Sequence, residues 1–426
     1  MDMGERCTSN RDSASNIKEE VHITNDEVSE GKVEIKDDFN QFIDVEEVHD
    51  RGEVIIENEK SIGTSVSDKI NSNSSVKGVD AKHSPACEEM SPDPPKISDY
   101  EIPLARYSER LPQRTKDPLY TSVLREVGEQ FRIPKVRPYH IDDSIRHFQH
   151  PEQSPGLPYI NMGFKRMDEI DRLHIKQYVR NLKYDIYNRC NTPCRTTVAR
   201  TPELRLIWGY PAHMTFAEGM FVQPLIRGYR RAQGIYGLWI QNAEDYMRLL
   251  QSHRQSEESS WLGLYWNSFD PHVPAWLIRD AFQIILSNMD LTGYEEYGAP
   301  VHPHTLPNLQ RKIVNYFINT PIKLLSGKVF RKKQGVPSGS SFTNLVDSVV
   351  NAIVTQFCLQ KMSVVYSRMA QWYMGDNGLI LLHDKINLAE FAKIAHEVFG
   401  FHLNLDKTET GEYIPAIPWL SHVTQP

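Results

Sequence analysis

The chain has 426 residues, 40% of them hydrophobic, and its 48 Lys and Arg against 55 Asp and Glu leave a formal charge of −7. That apolar share supports a buried core. Yet no run reaches the roughly 18 uninterrupted apolar residues of a membrane span, and Met1-Asp2-Met3-Gly4 begins no signal peptide. The five cysteines (Cys7, Cys87, Cys190, Cys194 and Cys358) are scattered, with no second Cys/His pair at zinc spacing, so reduced thiols and a cytoplasmic location are expected.

The first hundred residues carry 11 basic and 24 acidic side chains, which leaves 37 and 31 for the remainder, so the net acidity hides a mildly basic body. With no Trp and only Phe39, Phe42 and Tyr100 as aromatics, residues 1–100 cannot bury enough apolar surface to offset their ordering entropy. A disordered acidic tail is expected there, followed by a Pro-rich linker (91–118). Helical periodicity runs from Lys165 to Tyr187, and a stretch alternating basic and aromatic residues follows from 200. A helix is expected near 243–253. "WLGLYWNSFD" (261–270) reads as a short buried strand ending in polar residues, and "VPAWLIRDAFQIILSNM" (273–289) as a helix with Pro274 in its first turn.

Next comes a Gly/Ser loop feeding a long helix whose Leu345, Val349, Ala352, Ile353 and Phe357 share one face. "QWYMGDNGLILLH" (371–383) reads as a β-hairpin with Asn377-Gly378 as its turn. Asn387 with Glu390 three residues on opens another helix, Gly400 ends it, and "FHLNLDKTE" (401–409) reads as a strand. The order implies an α+β fold with a small antiparallel sheet backed by helices.

Ser338 and Gly339 stand just before a helix with Thr343 one turn in, a place where backbone N–H groups can meet phosphate or ribose. A plain helix start with a serine cap is the other reading of that loop alone. The order of motifs narrows the choice. "SPGLPY" (154–159), "RLIWGYP" (205–211), "WNSFDPHVPAWLI" (266–278), "GVPSGSSFTNLVDSVVN" (335–351) and "MGDNGLI" (374–380) resemble the RNA-dependent RNA polymerases of double-stranded RNA viruses, those of the partitivirus group above all.

The resemblance covers roughly residues 150–420 and implies a right-hand polymerase fold. An N-terminal fingers region (101–260) would precede a palm with an inserted fingers segment (261–426). "AIPWLSH" (416–422) resembles the start of the primer grip, so the thumb is expected to be absent or truncated. In such enzymes two Mg²⁺ or Mn²⁺ ions about 3.5–4 Å apart activate the attacking hydroxyl and stabilise the leaving pyrophosphate.

Carried over by motif, Asp376 is a metal ligand and Asp270 faces the ribose of the incoming nucleotide. Arg205 holds triphosphate, Lys407 is the general acid to pyrophosphate, and Ser338, Gly339, Thr343 and Asp347 contact the nucleotide. Lys165, Arg331, Lys332 and Lys333 are candidates to line an RNA or nucleotide channel. The family's Asp-Trp-Ser-x-Phe-Asp is Tyr265-Trp266-Asn267-Ser268-Phe269-Asp270 here, so Tyr265 stands where the leading metal ligand is expected. The family's Gly-Asp-Asp is Gly375-Asp376-Asn377, leaving Asn377 a weak ligand, and Glu203 stands where relatives often carry a base.

A phenol has a pKa near 10 and is a poor partner for a hard dication. An impaired polymerase, such as a copy captured in a host genome, is therefore expected ahead of a working RNA-directed RNA polymerase. A non-catalytic RNA-binding or scaffold protein is the alternative. The partners implied are template RNA and nucleoside triphosphates, no membrane, and a capsid or host protein at the acidic tail.

Overall fold

The computed structural model describes residues 103–186, 191–201, 203–240, 244, 245, 249, 259–324 and 327–412. The expected tail at 1–100 and the primer-grip resemblance at 416–422 lie outside these residues, as does most of the helix expected near 243–253.

The first elements are helices α1 (Pro118–Gln130), α2 (Ile141–Arg146) and α3 (Arg172–Lys183). Asp117 caps α1 by accepting the N–H of Leu119, and Pro118 fits the first turn, where its missing N–H costs nothing. Asp171 caps α3 in the same way. This local cap explains a difference from the expected helix at 165–187: the chain makes a short turn at Met167–Glu169 and begins the helix only after Asp171. Strands β1 (Cys194–Thr201) and β2 (Glu203–Gly209) then form an antiparallel hairpin, followed by helix α4 (Ala212–Ala232).

Strands β3 (Ser260–Leu264) and β4 (Trp266–Asn267) precede helices α5 (Ala275–Leu286) and α6 (Thr305–Ile318). Pro274 is the N-cap of α5 rather than part of its first turn. Short strands β5 (Pro321–Lys323) and β6 (Val329–Arg331) extend the first sheet, in the order β2-β1-β5-β6. Helix α7 (Thr343–Lys361), strands β7 (Tyr366–Met374) and β8 (Asn377–Leu382), helix α8 (Leu388–Phe399) and strands β9 (His402–Leu403) and β10 (Glu409–Gly411) follow among the described residues. Asn387 caps α8 by accepting from Ala389 and Glu390, and Gly400 closes it in the left-handed region.

The central sheet runs β10-β3-β8-β7 with every neighbour antiparallel. It is the antiparallel sheet expected for a palm. Strand β8 is buried along both faces from Gly378 to Leu382, because helix α7 covers one side and a cluster of Trp261, Trp372, Leu379, Leu381 and Ile240 fills the other. Two sequence expectations change. The hairpin tip is Gly375-Asp376, since Met374 pairs with Asn377, and Asn377-Gly378 already belong to β8. The stretch 401–409 is not one strand but a bridge at β9, a turn, and then β10.

Helix α7 is buried on all sides from Leu345 to Leu359. Its polar side chains must therefore find partners within the protein. Asn351, fully buried, accepts from the Trp266 indole N–H (3.0 Å) and donates to the Gly375 carbonyl (3.3 Å). One amide thus joins β4, α7 and the hairpin tip. Replacing Asn351 with Ala strands both partners in a dry interior at about 1–3 kcal/mol each. N351A is expected to lower the urea-unfolding free energy by about 2–4 kcal/mol with an unchanged m-value.

Candidate active site

Leu264, the last residue of β3, pairs with Gly378 near the start of β8, so Tyr265 and Asp376 leave the sheet at the same end. The tip is shaped by Gly375, whose φ is +62° and whose N–H donates to Ser348 Oγ at 2.7 Å. Asp376 is exposed, and Asn377 donates its amide N–H to Asp376 Oδ1 at 3.0 Å.

Asp270 lies beyond the strand end, half-buried in a short turn over Asp270–His272, with its carbonyl accepting the N–H of Val336 at 2.8 Å. Both carboxylates act electrostatically on Asp347 of α7, which is only 4% exposed. Burial pushes its carboxyl well above the usual range, and the charges of Asp270 and Asp376 push the same way. Its Oδ1 has no hydrogen-bond partner. The fold thus brings together the three aspartates that the sequence had scattered over more than a hundred residues.

Tyr265 is half-buried at the edge of this group. Burial raises its phenol to about 12, with Glu409 and Asp376 adding to the effect, so it is neutral across the physiological range. Its backbone is clasped by the turn after β9: Asn404 donates to the Tyr265 carbonyl at 2.8 Å, and Thr408 Oγ1 accepts from the Tyr265 N–H at 3.3 Å. The residues present do not fit a pair of divalent ions. No three His, Cys, Asp or Glu side chains among the described residues gather closely enough to hold a metal. A neutral phenol and an amide occupy two of the expected ligand positions, and the amide already engages Asp376.

Ser268, inside this motif, has φ +50°, a left-handed conformation that a non-glycine residue adopts at a cost of about 1–3 kcal/mol. Two neighbours hold it: Arg106 donates to its hydroxyl, and the His272 ring bonds its carbonyl at 2.6 Å.

The Gly/Ser loop rests on β2. Ser338 Oγ donates to the Leu206 carbonyl (3.4 Å), and Thr343 Oγ1 donates to that of Pro337 (2.7 Å). A Cβ on Gly339 would lie 2.5 Å from the Trp208 carbonyl, so the glycine is required by close approach to β2. Arg205 is on the same strand, opposite Ala199. Behind the loop, Tyr107 donates to the Val336 carbonyl (3.2 Å) and packs its ring at 5.4 Å from Trp208.

Other sequence candidates fare differently. Lys407 is exposed in the turn between β9 and β10, not on a strand, and its N–H is held by Asn404 Oδ1. Lys165 is exposed, with its backbone N–H on Glu169. Arg331 is half-buried and donates to the Asn319 carbonyl and Asn191 Oδ1. Lys333 is exposed.

Lys332 is a correction: it is fully buried, its ammonium donating to the carbonyls of Phe317, Ile318 and Gly335, so it cannot line an open channel. Burial holds its amine well below the ordinary lysine range. The sequence reading missed Asn344, Ser348 and Asn351, although their spacing marks a polar stripe along an otherwise apolar helix. It also missed Glu218, which nothing local in the sequence singles out.

A family model for viral RNA-dependent RNA polymerase matches residues 103–424. The RNA-directed RNA polymerase of Cryptosporidium parvum virus 1 (strain KSU-1) is 28% identical over 209 residues, which are 48% of this chain and 37% of that protein. The chain thus spans a little over a third of the length of this curated relative. Among solved structures, the RNA-dependent RNA polymerase of a human picorbirnavirus aligns with TM-score 0.55 and 14% identity, over 74% of this chain and 58% of that one. Its insertion-loop deletion mutant aligns with TM-score 0.56 and 13% identity, over 74% and 60%.

The contrast between Lys332 and Lys333 is testable. Lys332→Met should cost about 1–3 kcal/mol of stability by urea unfolding, because buried carbonyls lose their donor. It should leave the salt dependence of single-stranded RNA binding unchanged. If Lys333 meets phosphate, Lys333→Met should reduce the slope of log K against log salt by about 0.7, with stability within about 0.5 kcal/mol of the parent.

Proposed function

The chain belongs to the viral RNA-dependent RNA polymerase family, and from that membership we propose that it binds template RNA and nucleoside triphosphates in a palm whose nucleotidyl transfer is impaired. The fold class supports the first half: a right-hand polymerase architecture of mixed α and β structure, with the antiparallel sheet presenting Asp376 at one end and Asp270 in the turn that follows β4. In this reading residues 101–260 form the N-terminal fingers, and residues 261–426 form the palm with its inserted segment. Template and nucleotide would be met in the cytoplasm.

One observation carries the second half. At the end of β3, where the resemblance expects a carboxylate, stands a phenol raised to about 12 that is neutral at physiological pH. Divalent ions supply Lewis-acid stabilisation of the transferring phosphoryl group in polymerases of this family. Here only Asp376 retains the ligand chemistry expected at the sheet end, and its Oδ1 is shared with the Asn377 amide.

The remaining residues serve binding. Asp347, whose buried Oδ1 has no hydrogen-bond partner and whose carboxyl feels the charges of Asp270 and Asp376, would contribute to nucleotide recognition. The Ser338–Thr343 loop rests on β2, the strand that carries Arg205, and both are read as nucleotide contacts. Each 1.36 kcal/mol of lost transition-state stabilisation is tenfold in rate, so losing a bridging carboxylate brings synthesis to background.

Purified protein with a primed RNA template and Mg²⁺ or Mn²⁺ is expected to give background extension, while retaining salt-sensitive affinity for single-stranded RNA in a filter assay. Tyr265→Asp with Asn377→Asp should raise metal affinity and yield metal-dependent extension at least about tenfold above the parent. Robust synthesis by the unmodified chain, abolished by Asp376→Ala, would overturn the impairment. Absence of RNA binding at low salt would overturn the binding role.

A further inference from the structure

Glu218 lies on α4, fully buried, beneath the loop that the family resemblance singles out. Its Oε1 accepts from the Tyr210 hydroxyl at 2.7 Å, while Oε2 accepts from the Ser340 hydroxyl at 2.7 Å and from the Ser341 N–H at 2.8 Å. Donors converging on both oxygens suit an ionised carboxylate, which only accepts. Ser340 passes the constraint on, since its Oγ also accepts the Phe342 N–H at 3.1 Å, at the N-cap of α7. Glu218 therefore sets the start of the helix that carries Thr343 and Asp347, as well as the path of Ser338 and Gly339 over β2.

We propose that Glu218 is a positioning residue for nucleotide binding: its ionised carboxylate holds the Ser338–Thr343 loop in the shape that receives a nucleoside triphosphate, and loss of that charge releases the loop. The proposal rests on the reading of this loop as a nucleotide contact. Burial raises the Glu218 carboxyl to about 7, against the pull of Tyr210, Ser340 and Ser341. Protonation turns one accepting oxygen into a donor, so a hydroxyl partner must reverse its bond or turn away, and the remaining bonds lose their charge assistance and fall to neutral strength.

The groups facing Glu218 leave the proton to it in the neutral range. Tyr210 is a phenol packed against the Tyr316 ring (5.5 Å), and the loop side contributes a hydroxyl and a backbone amide. His213, earlier on α4, is held down to about 3 by burial and stays neutral throughout.

The test measures, on the full chain, the affinity for a fluorescent guanosine triphosphate analogue from pH 5.5 to 8.5. Amide hydrogen exchange, corrected for intrinsic rates, follows residues 338–343 in parallel. The parent should bind about tenfold more weakly as pH falls through 7, with loop protection falling in step. Glu218→Gln, which keeps the shape but cannot ionise, should bind weakly and without that pH dependence. Ser340→Ala should lose part of the affinity at high pH, with protection falling at Ser341 and Phe342.

A parental pH slope that survives in Glu218→Gln would overturn the proposal, as would unchanged affinity in both variants. If the parent binds no nucleotide at any pH, the reading of the loop as a nucleotide contact fails. Exchange at Ser341 and Phe342 still decides whether Glu218 holds the loop: protection that ignores pH, or that is equal in parent and Glu218→Gln, would overturn the anchoring.

Discussion

The two hydrogen bonds of the Asn351 side chain join the parts of the molecule on which the rest depends. One binds the Trp266 indole and the other the Gly375 carbonyl, with Thr355 supporting the amide oxygen from one turn further along α7. Trp266 follows Tyr265 by one residue, and Gly375 precedes Asp376. Fixing those two neighbours fixes the separation of the two motifs at the sheet end. Ser348 adds a second tie to the Gly375 N–H, and Tyr236 holds Asn344 Oδ1 at 2.7 Å from outside the helix. Helix α7 is thus a buried polar spine, and every polar bond along it costs stability if left unmade.

Two acids on this framework are kept against their solvation preference. Asp347 and Glu218 are buried, and both are raised above the ordinary carboxylate range by that burial. For Glu218 the sign is definite. Between the unperturbed value of 4.5 and about 7 the folded chain holds a proton that the unfolded chain has released. Stability contributed by this group therefore falls as pH rises across that window. A fold under no demand but stability would replace such groups with apolar ones; their presence under and beside the loop suits a site built for a charged, hydroxyl-rich ligand.

The segment from 104 to 112 closes the back of the same region. Tyr107 seats under Val336, Gln334 donates to the Glu109 carbonyl, the His272 ring meets Glu109 at 3.2 Å, and the Trp276 indole donates to the Pro112 carbonyl. Residues that precede the first motif by roughly fifty positions thereby brace the turn that carries Asp270. The strained Ser268 is held in that brace, and strain of this kind persists only where surrounding contacts over-determine it.

Much of this was legible in the sequence because it depended on local chemistry. Apolar period, caps at Asn387 and Gly400, and the order of the motifs defined the helices, the antiparallel sheet and the family. Asp270, Asp376 and the Ser338 loop could be singled out through the resemblance of their motifs to the polymerase family, which also marked Tyr265 as the position where a carboxylate is expected. The hairpin tip was displaced by two residues because Ser348 and Asn351 grip Gly375, a constraint from another element that outweighs the turn preference of Asn377-Gly378. Lys332 read as a channel cation since sequence carries charge but not depth; only packing against the end of α6 reveals its carbonyl cage. Glu218, Asn351 and Arg106 act on residues far away in the chain, and no periodicity encodes such a partner. The sequence by itself determined most of the helices and strands, because these rest on short-range pattern, and pointed to the family through the resemblance of its motifs. The tertiary structure alone decided which polar groups are buried, which are paired, and how three distant aspartates come to share one electrostatic field, since desolvation and Coulomb energy depend on separation in space.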